Sequence, residues 1–232
     1  MTTILPFTRQ FSRLIIRLVP SNSFTYTDGL SDGLLEQPVL ALNAVQTSIQ
    51  SELLVLLRHV AAVLGDPHGQ RVDLPELQTA LDETHTYLDK IHLQTGEGPL
   101  WERLVNMIHA LDHLQRIHER CKEDEDRAKT AQATMDLLVE KNLLVDNIQE
   151  VMALIQAERW QAATTQAHKT SRHIHQKVEP YRAITVNQVA VGQIDVLTST
   201  ERLEAIRWLR RVSKHIRRIT YHMSQAILAT GK

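Results

Sequence analysis

The chain has 232 residues, enough for one large domain or two small ones, yet only 4% are aromatic. Its long stretches are rich in Leu, Ala, Gln, Glu, Arg and His, and no strand formers alternate with period two, which favours helices over sheets. With 26 Lys and Arg against 27 Asp and Glu, the formal net charge is -1, which excludes a global pull toward nucleic acid or membrane and confines electrostatic function to local patches.

In residues 1–20, Ile4, Phe7, Phe11, Leu14, Ile15 and Leu18 recur at three- and four-residue steps and share one helical face. Arg9, Arg13 and Arg17 fall on another face, and no acidic residue occurs before Asp28. Such a basic amphipathic helix lies at an anionic membrane surface or packs on the rest of the protein with its arginines solvated. Organelle-targeting peptides share this composition. A secretory signal is disfavoured because the arginines interrupt its apolar core. Pro20–Gln37 reads as a linker, with Asp28-Gly29 and Asp32-Gly33 as turn signals.

Pro38 suits the first turn of a long helix to about Leu64, and Gly65–Gly69 breaks it. Asp73 and Pro75 start a second helix to about His92, with Leu77, Leu81, Tyr87, Leu88 and Ile91 as its core residues. A third helix follows Gly96, Gly98 and Pro99. It carries Leu100, Leu104, Ile108, Leu111, Leu114 and Ile117 and runs into a solvated acidic stretch, Glu123–Asp126. The fourth helix spans Ala131 to about Gln156, and the fifth Ala157 to about Val189, with an interruption expected near Glu179-Pro180. Thr198 and Glu201 form a capping box for the last helix, which runs to about Ala229. No run of about 18 apolar residues marks a bilayer-spanning segment.

Met107–Cys121 and Arg202–Ile216 are diverged copies: a shift of 95 places Ala110 on Ala205, Leu111 on Ile206, Leu114 on Leu209, Arg116 on Arg211 and Ile117 on Val212. Internal repetition on this scale implies two equivalent helical units. The expected architecture is therefore all-α: an amphipathic helix and linker over 1–37, then two tandem antiparallel three-helix bundles over 38–128 and 129–232.

This pattern resembles the PhoU family, whose members are two tandem three-helix bundles that regulate phosphate transport. The third helix of each PhoU bundle resembles D-L-E-R-I-G-D-H, in which acidic residues four apart hold metal ions. His113-Leu114-Gln115-Arg116-Ile117-His118-Glu119 matches it at Leu114, Arg116 and Ile117. Trp208-Leu209-Arg210-Arg211-Val212-Ser213-Lys214-His215 matches it at Leu209, Arg211, Val212 and His215. The stretches Phe7–Pro20, Leu34–Leu42, Ala110–Leu114 and Arg207–Leu209 are similar to the cytoplasmic PhoU-like domain that follows the last membrane span of bacterial sodium–phosphate symporters. The sequence suits both an excised domain of that kind and a separate protein. The resemblance implies a regulator at the cytoplasmic face of a membrane phosphate transporter, with that transporter or its membrane domain as partner, and contact with a second copy of itself or peripherally with the membrane.

The family's acidic pair falls on Gln115 and Glu119 in the first motif, and on Arg210 and Lys214 in the second. A hard cation needs several oxygen ligands, which neither pair supplies. No metal or other cofactor is therefore expected at those positions. A different metal reading rests on His109 and His113, four apart on one helical face, with Asp112 and Glu119 nearby. That spacing suits a transition metal, although among 12 histidines one such pair is expected by chance. His173 and His175 offer no matching cluster.

In the last helix Arg210, Lys214 and Arg217 lie along one face, which would attract an anion, an acidic partner or anionic lipid, or would pair with acids such as Glu123–Asp126. No nucleic-acid recognition motif accompanies the charge. Cys121, the single cysteine, rules out an internal disulfide and suits a reducing cytoplasm. Arg120 and Lys122 beside it would lower its pKa, although a lone helical cysteine is usually structural. Searches for a phosphate-binding Gly-rich loop and for a nucleophile set against His and Asp find none. The sequence thus points to a non-enzymatic regulatory module. Its alternatives are a small metal-dependent helical-bundle enzyme built on His109, His113 and Glu119, and a generic helical scaffold.

Overall fold

A computed structural model describes residues 26–94, 96–123 and 125–229. The expected amphipathic helix with Arg9, Arg13 and Arg17 lies outside them. The regular structure of the described residues is all helical, with no strand: α1 (Pro38–Val63), α2 (Leu74–Asp89), α3 (Pro99–Glu123), α4 (Glu125–Ala133), α5 (Leu138–Gln156), α6 (Trp160–Ala190) and α7 (Val196–Leu228), with single 3-10 turns at Asp32–Leu34 and Met135–Leu137.

Local chemistry sets three of the helix starts. Pro38 opens α1, where its missing N–H would have had no intrahelical partner. The Asp73 carboxylate accepts the Glu76 N–H at 3.0 Å and caps α2. At α7 the cap is Asp195, which accepts the Thr198 N–H at 2.7 Å and the Thr198 hydroxyl at 3.0 Å. The expected Thr198–Glu201 capping box is therefore displaced: Thr198 is already inside the helix, as donor rather than cap. Nor is α6 interrupted at Pro180; the helix continues through it. Gln176 and Pro180 are both exposed there, so water can satisfy the carbonyl that loses its intrahelical partner.

Around Glu123–Asp126 the described residues are helical, with α3 described to Glu123 and α4 from Glu125, and α4 buries only Ala128 and Ala131. Ile108, expected in the α3 core stripe, is 43% exposed, while Leu104, Leu111, Leu114 and Ile117 are buried.

Helix α1 is the apolar spine of the first half, burying Leu42, Val45, Ile49, Leu53, Leu56, Leu57 and Val60 against α2, α3 and α5. By length and composition it is the described helix that could cross a bilayer, with a mean hydropathy of 1.3 over its best window. In this fold that apolar character supplies the core. After α1 the chain folds back so tightly that a Cβ on Gly69 would sit 2.3 Å from the Ala62 nitrogen, so only glycine fits.

In the second half α6 packs between α5 and α7. The halves meet where α3 runs against α7, with α4 also lying on α7. The buried apolar residues of both halves form one contiguous cluster. The repeat positions have their physical meaning here: Ala110 and Ala205, Leu111 and Ile206, Leu114 and Leu209, Ile117 and Val212 are all buried. Trp208 reaches across this seam and donates its indole N–H to the Arg120 carbonyl at 3.2 Å.

Candidate functional site

The α3–α7 seam also gathers histidines. On α3, His109 and His113 stand one turn apart; on α7, His215 and His222 stand two turns apart, so each pair shares a helical face. The ring centres of His109 and His222 are 5.0 Å apart, those of His113 and His215 5.3 Å, and those of His113 and His222 5.8 Å. Tyr221 packs its ring edge-on to His222 at 5.2 Å. His109 is exposed and the other three are half-buried, so the cluster opens at the surface.

Its electrostatics favour the neutral ring at His113, His215 and His222. Burial, then the neighbouring histidines His109 and His113 and the Arg218 guanidinium, holds His222 down to about 4. His215 is likewise held to about 4, by burial first, then by His113, Lys214 and Arg120, with Asp112 opposing. His113 is lowered by burial, against the pull of Asp112 and with Arg218, His109 and Lys214 adding to the effect. A neutral imidazole keeps one nitrogen lone pair, which makes it a ligand and a hydrogen-bond acceptor. Two residues bear on the opposite nitrogens. Asn106 Oδ1 is 2.9 Å from His222 Nδ1, and Asp112 Oδ2 is 3.4 Å from His113 Nδ1.

The expected trio of His109, His113 and Glu119 is not what the fold assembles. Glu119 pairs with Arg116 at 3.5 Å. Six residues beyond His113 it is about 240° further around the helix, at roughly 100° per residue. His215 and His222 were the missing members, and their seven-residue spacing was the available signal. His173 and His175 are exposed on α6. Among the described residues, no group of three His, Cys, Asp or Glu is arranged as it stands to hold a metal.

The positions that match the family's acidic pairs are scattered. The Gln115 side-chain amide lies 3.5 Å from His85 of α2. Arg210, Arg217 and Arg218 are half-buried and Lys214 is exposed along one face of α7. None of these four cations has an ion-pair partner among the described residues. The expected pairing of this face with Glu123–Asp126 is not seen there: Glu123 pairs with Arg120, and Glu125 with Arg71 and Lys129. The α7 cations that do pair are Arg207 and Arg211, both on Glu204, and Arg202 on Asp136. The structure thus separates an internally compensated set from a bare stripe.

Cys121 departs from expectation too. It is buried in the core, and desolvation, with Glu125 adding to it, pushes its thiol up to about 12, which overrides Arg120 and Lys122.

No family model matches the chain, and neither does any curated protein or solved structure.

Proposed function

We propose that this chain is a non-enzymatic, PhoU-like regulatory module that acts at the cytoplasmic face of a membrane phosphate transporter. The phosphate connection rests on the sequence motifs at Leu114–Ile117 and Leu209–Val212. The observation that carries a binding role is the stripe of Arg210, Lys214, Arg217 and Arg218 on α7, a row of cations none of which has an ion-pair partner among the described residues. Four uncompensated charges on one face repel one another and gain from an anionic partner surface. The partner in this reading is an acidic cytoplasmic surface of the transporter, with the Arg9, Arg13 and Arg17 segment as the membrane-proximal connection.

The helix contacts support grouping α1–α3 and α5–α7 as two tandem three-helix bundles joined along α3 and α7. They are equivalent in their buried repeat positions and unequal in charge.

Labelled phosphate uptake in host cells with the chain deleted, restored and overproduced tests this function. Uptake is expected to track the protein and to weaken in its response when Arg9, Arg13 and Arg17 are neutralised together. Uptake that ignores the protein's level overturns the assignment.

A further inference from the structure

The histidine cluster lies toward one end of the seam between the halves and plays no part in the regulatory reading. Antiparallel packing sets His109 and His113 of α3 against His222 and His215 of α7, and sets Arg120 of α3 against Trp208 further along. Fourteen residues, about 21 Å of helix, separate His222 from Trp208. We propose that the cluster is a proton-operated latch: acid charges its rings and parts that end of the α3–α7 seam, while the Trp208 end stays closed as the hinge. The latch is independent of the phosphate-transport reading.

Ring contacts of 5.0, 5.3 and 5.8 Å join the cluster across the seam, so an imidazolium formed on one helix faces a ring on the other. Neutral rings pack at that separation, and charged ones repel. The cations already present act in the same sense. Arg218 bears on His113 and His222, Lys214 on His113 and His215, and Arg120 on His215. Asp112 is the opposing carboxylate, 3.4 Å from His113 Nδ1, but it also faces Arg116 at 3.8 Å. One neutral tie crosses at this end, between Asn106 Oδ1 and His222 Nδ1 at 2.9 Å. His215 Nδ1 is buried without a hydrogen-bond partner, so the charged ring would carry a donor there with no acceptor. The other helices packed on α3 and α7 meet them at other positions: Asn43 and Gln46 of α1 bond Arg103, His85 of α2 lies beside Gln115, and Thr164 of α6 donates to the Thr220 carbonyl.

The opposite end resists acid. Trp208 is fully buried and holds the Arg120 carbonyl. Glu204 gathers Arg127 of α4 at 3.5 Å, Arg207 at 2.6 Å and Arg211 at 3.6 Å. The Arg207 hydrogen bond, opposed by burial and reinforced by the three guanidinium charges, holds the Glu204 carboxyl below its ordinary 4.5, so these pairs persist at pH 5.

The direction of the switch follows from linkage. Burial first, and then the neighbouring charges, hold His215 and His222 to about 4 in the closed seam, against the ordinary 6.5 once it parts. Their support for closure is therefore complete above pH 6.5 and is lost as pH falls through about 4. Within that window each such ring raises the open fraction by up to about tenfold per pH unit. His109 is exposed and the other three are half-buried, so protons reach the cluster from solvent.

Hydrogen exchange of the full chain, read by mass spectrometry at pH 7 and pH 5 and corrected for the intrinsic pH dependence of amide exchange, tests the latch. Protection over residues 103–113 and 215–226 is expected to fall by at least about tenfold on acidification, and over 114–121 and 200–210 by less than about twofold. The loss at the histidine end is expected to vanish in His215→Gln/His222→Gln, whose amides take up no proton, and to persist in His173→Gln/His175→Gln on the exposed face of α6. His109→Gln/His113→Gln repeats the test from α3, and helicity by circular dichroism is compared for every variant. Wild-type protection unchanged between the two pH values overturns the proposal, as does equal loss at both ends of the seam. A folded His215→Gln/His222→Gln that loses protection as the wild type does also overturns it.

Discussion

Glu52 offers the sharpest test of the packing. It lies on the buried face of α1 with no exposed surface, and its Oε1 accepts the Thr84 hydroxyl of α2 at 2.5 Å, while its Oε2 is buried without a partner. Burial, with Glu83 adding to it and the Thr84 hydrogen bond opposing it, raises its pKa from the usual 4.5 to about 8. The native state therefore holds a proton on Glu52 that the unfolded chain releases. Because the folded pKa exceeds the unfolded one, this stabilisation is fully present below pH 4.5 and is lost as pH rises through about 8. At about 1.4 kcal/mol per pH unit, the interval bounds the loss at about 5 kcal/mol.

Glu52→Gln removes the titration and keeps an acceptor for Thr84. Its amide adds a buried donor, which costs about 1–3 kcal/mol if unpaired. The variant is therefore expected to be less stable than wild type at pH 5 and more stable, by about 2–4 kcal/mol, at pH 8.5. Urea unfolding of both proteins from pH 5 to 8.5 measures this, and the difference between them cancels the titration of the histidines. A stability difference that stays constant across that range refutes a protonated, buried Glu52.

Three further outcomes follow from named contacts. Gly69→Ala forces a Cβ to within 2.3 Å of the Ala62 nitrogen and is expected to destabilise the fold by about 2 kcal/mol or more, measured by chemical denaturation. Leu114→Ala and its repeat partner Leu209→Ala each open a cavity at a fully buried position and are expected to cost about 2–5 kcal/mol, whereas Ile108→Ala at its 43% exposed site is expected to cost under about 1 kcal/mol in the same assay. Cys121, with its thiol pushed up to about 12 in the core, is expected to resist aromatic disulfide reagents at pH 8 until denaturant unfolds the protein; stoichiometric labelling of the native state would contradict its burial.

Six of the seven described helices were legible because each carries a long apolar stripe and clear punctuation, such as Pro38, the Asp73–Pro75 start and the Gly96–Pro99 break. Helix α4 was not, because Glu125–Ala133 buries only two alanines and shows no apolar period. Pro180 misled for a related reason: propensity marks a break, but packing on both sides of α6 overrides it at an exposed position. The candidate site was half legible. His109 and His113 declare themselves by their spacing, but their partners lie about a hundred residues away, and only the packing of α3 on α7 brings them together. Sequence proximity suggested Glu119 instead, which helical geometry turns to another face.

The central claim is that the unpaired α7 stripe makes a regulatory contact, and phosphate uptake in cells carrying Arg210→Gln/Lys214→Gln/Arg217→Gln tests it most directly. None of the three has an ion-pair partner among the described residues, and glutamine keeps a polar side chain of similar reach at the half-buried Arg210 and Arg217, so the variant is expected to fold with unchanged helicity and to behave in uptake like the deletion. Full restoration of regulation by the folded triple variant would contradict the account.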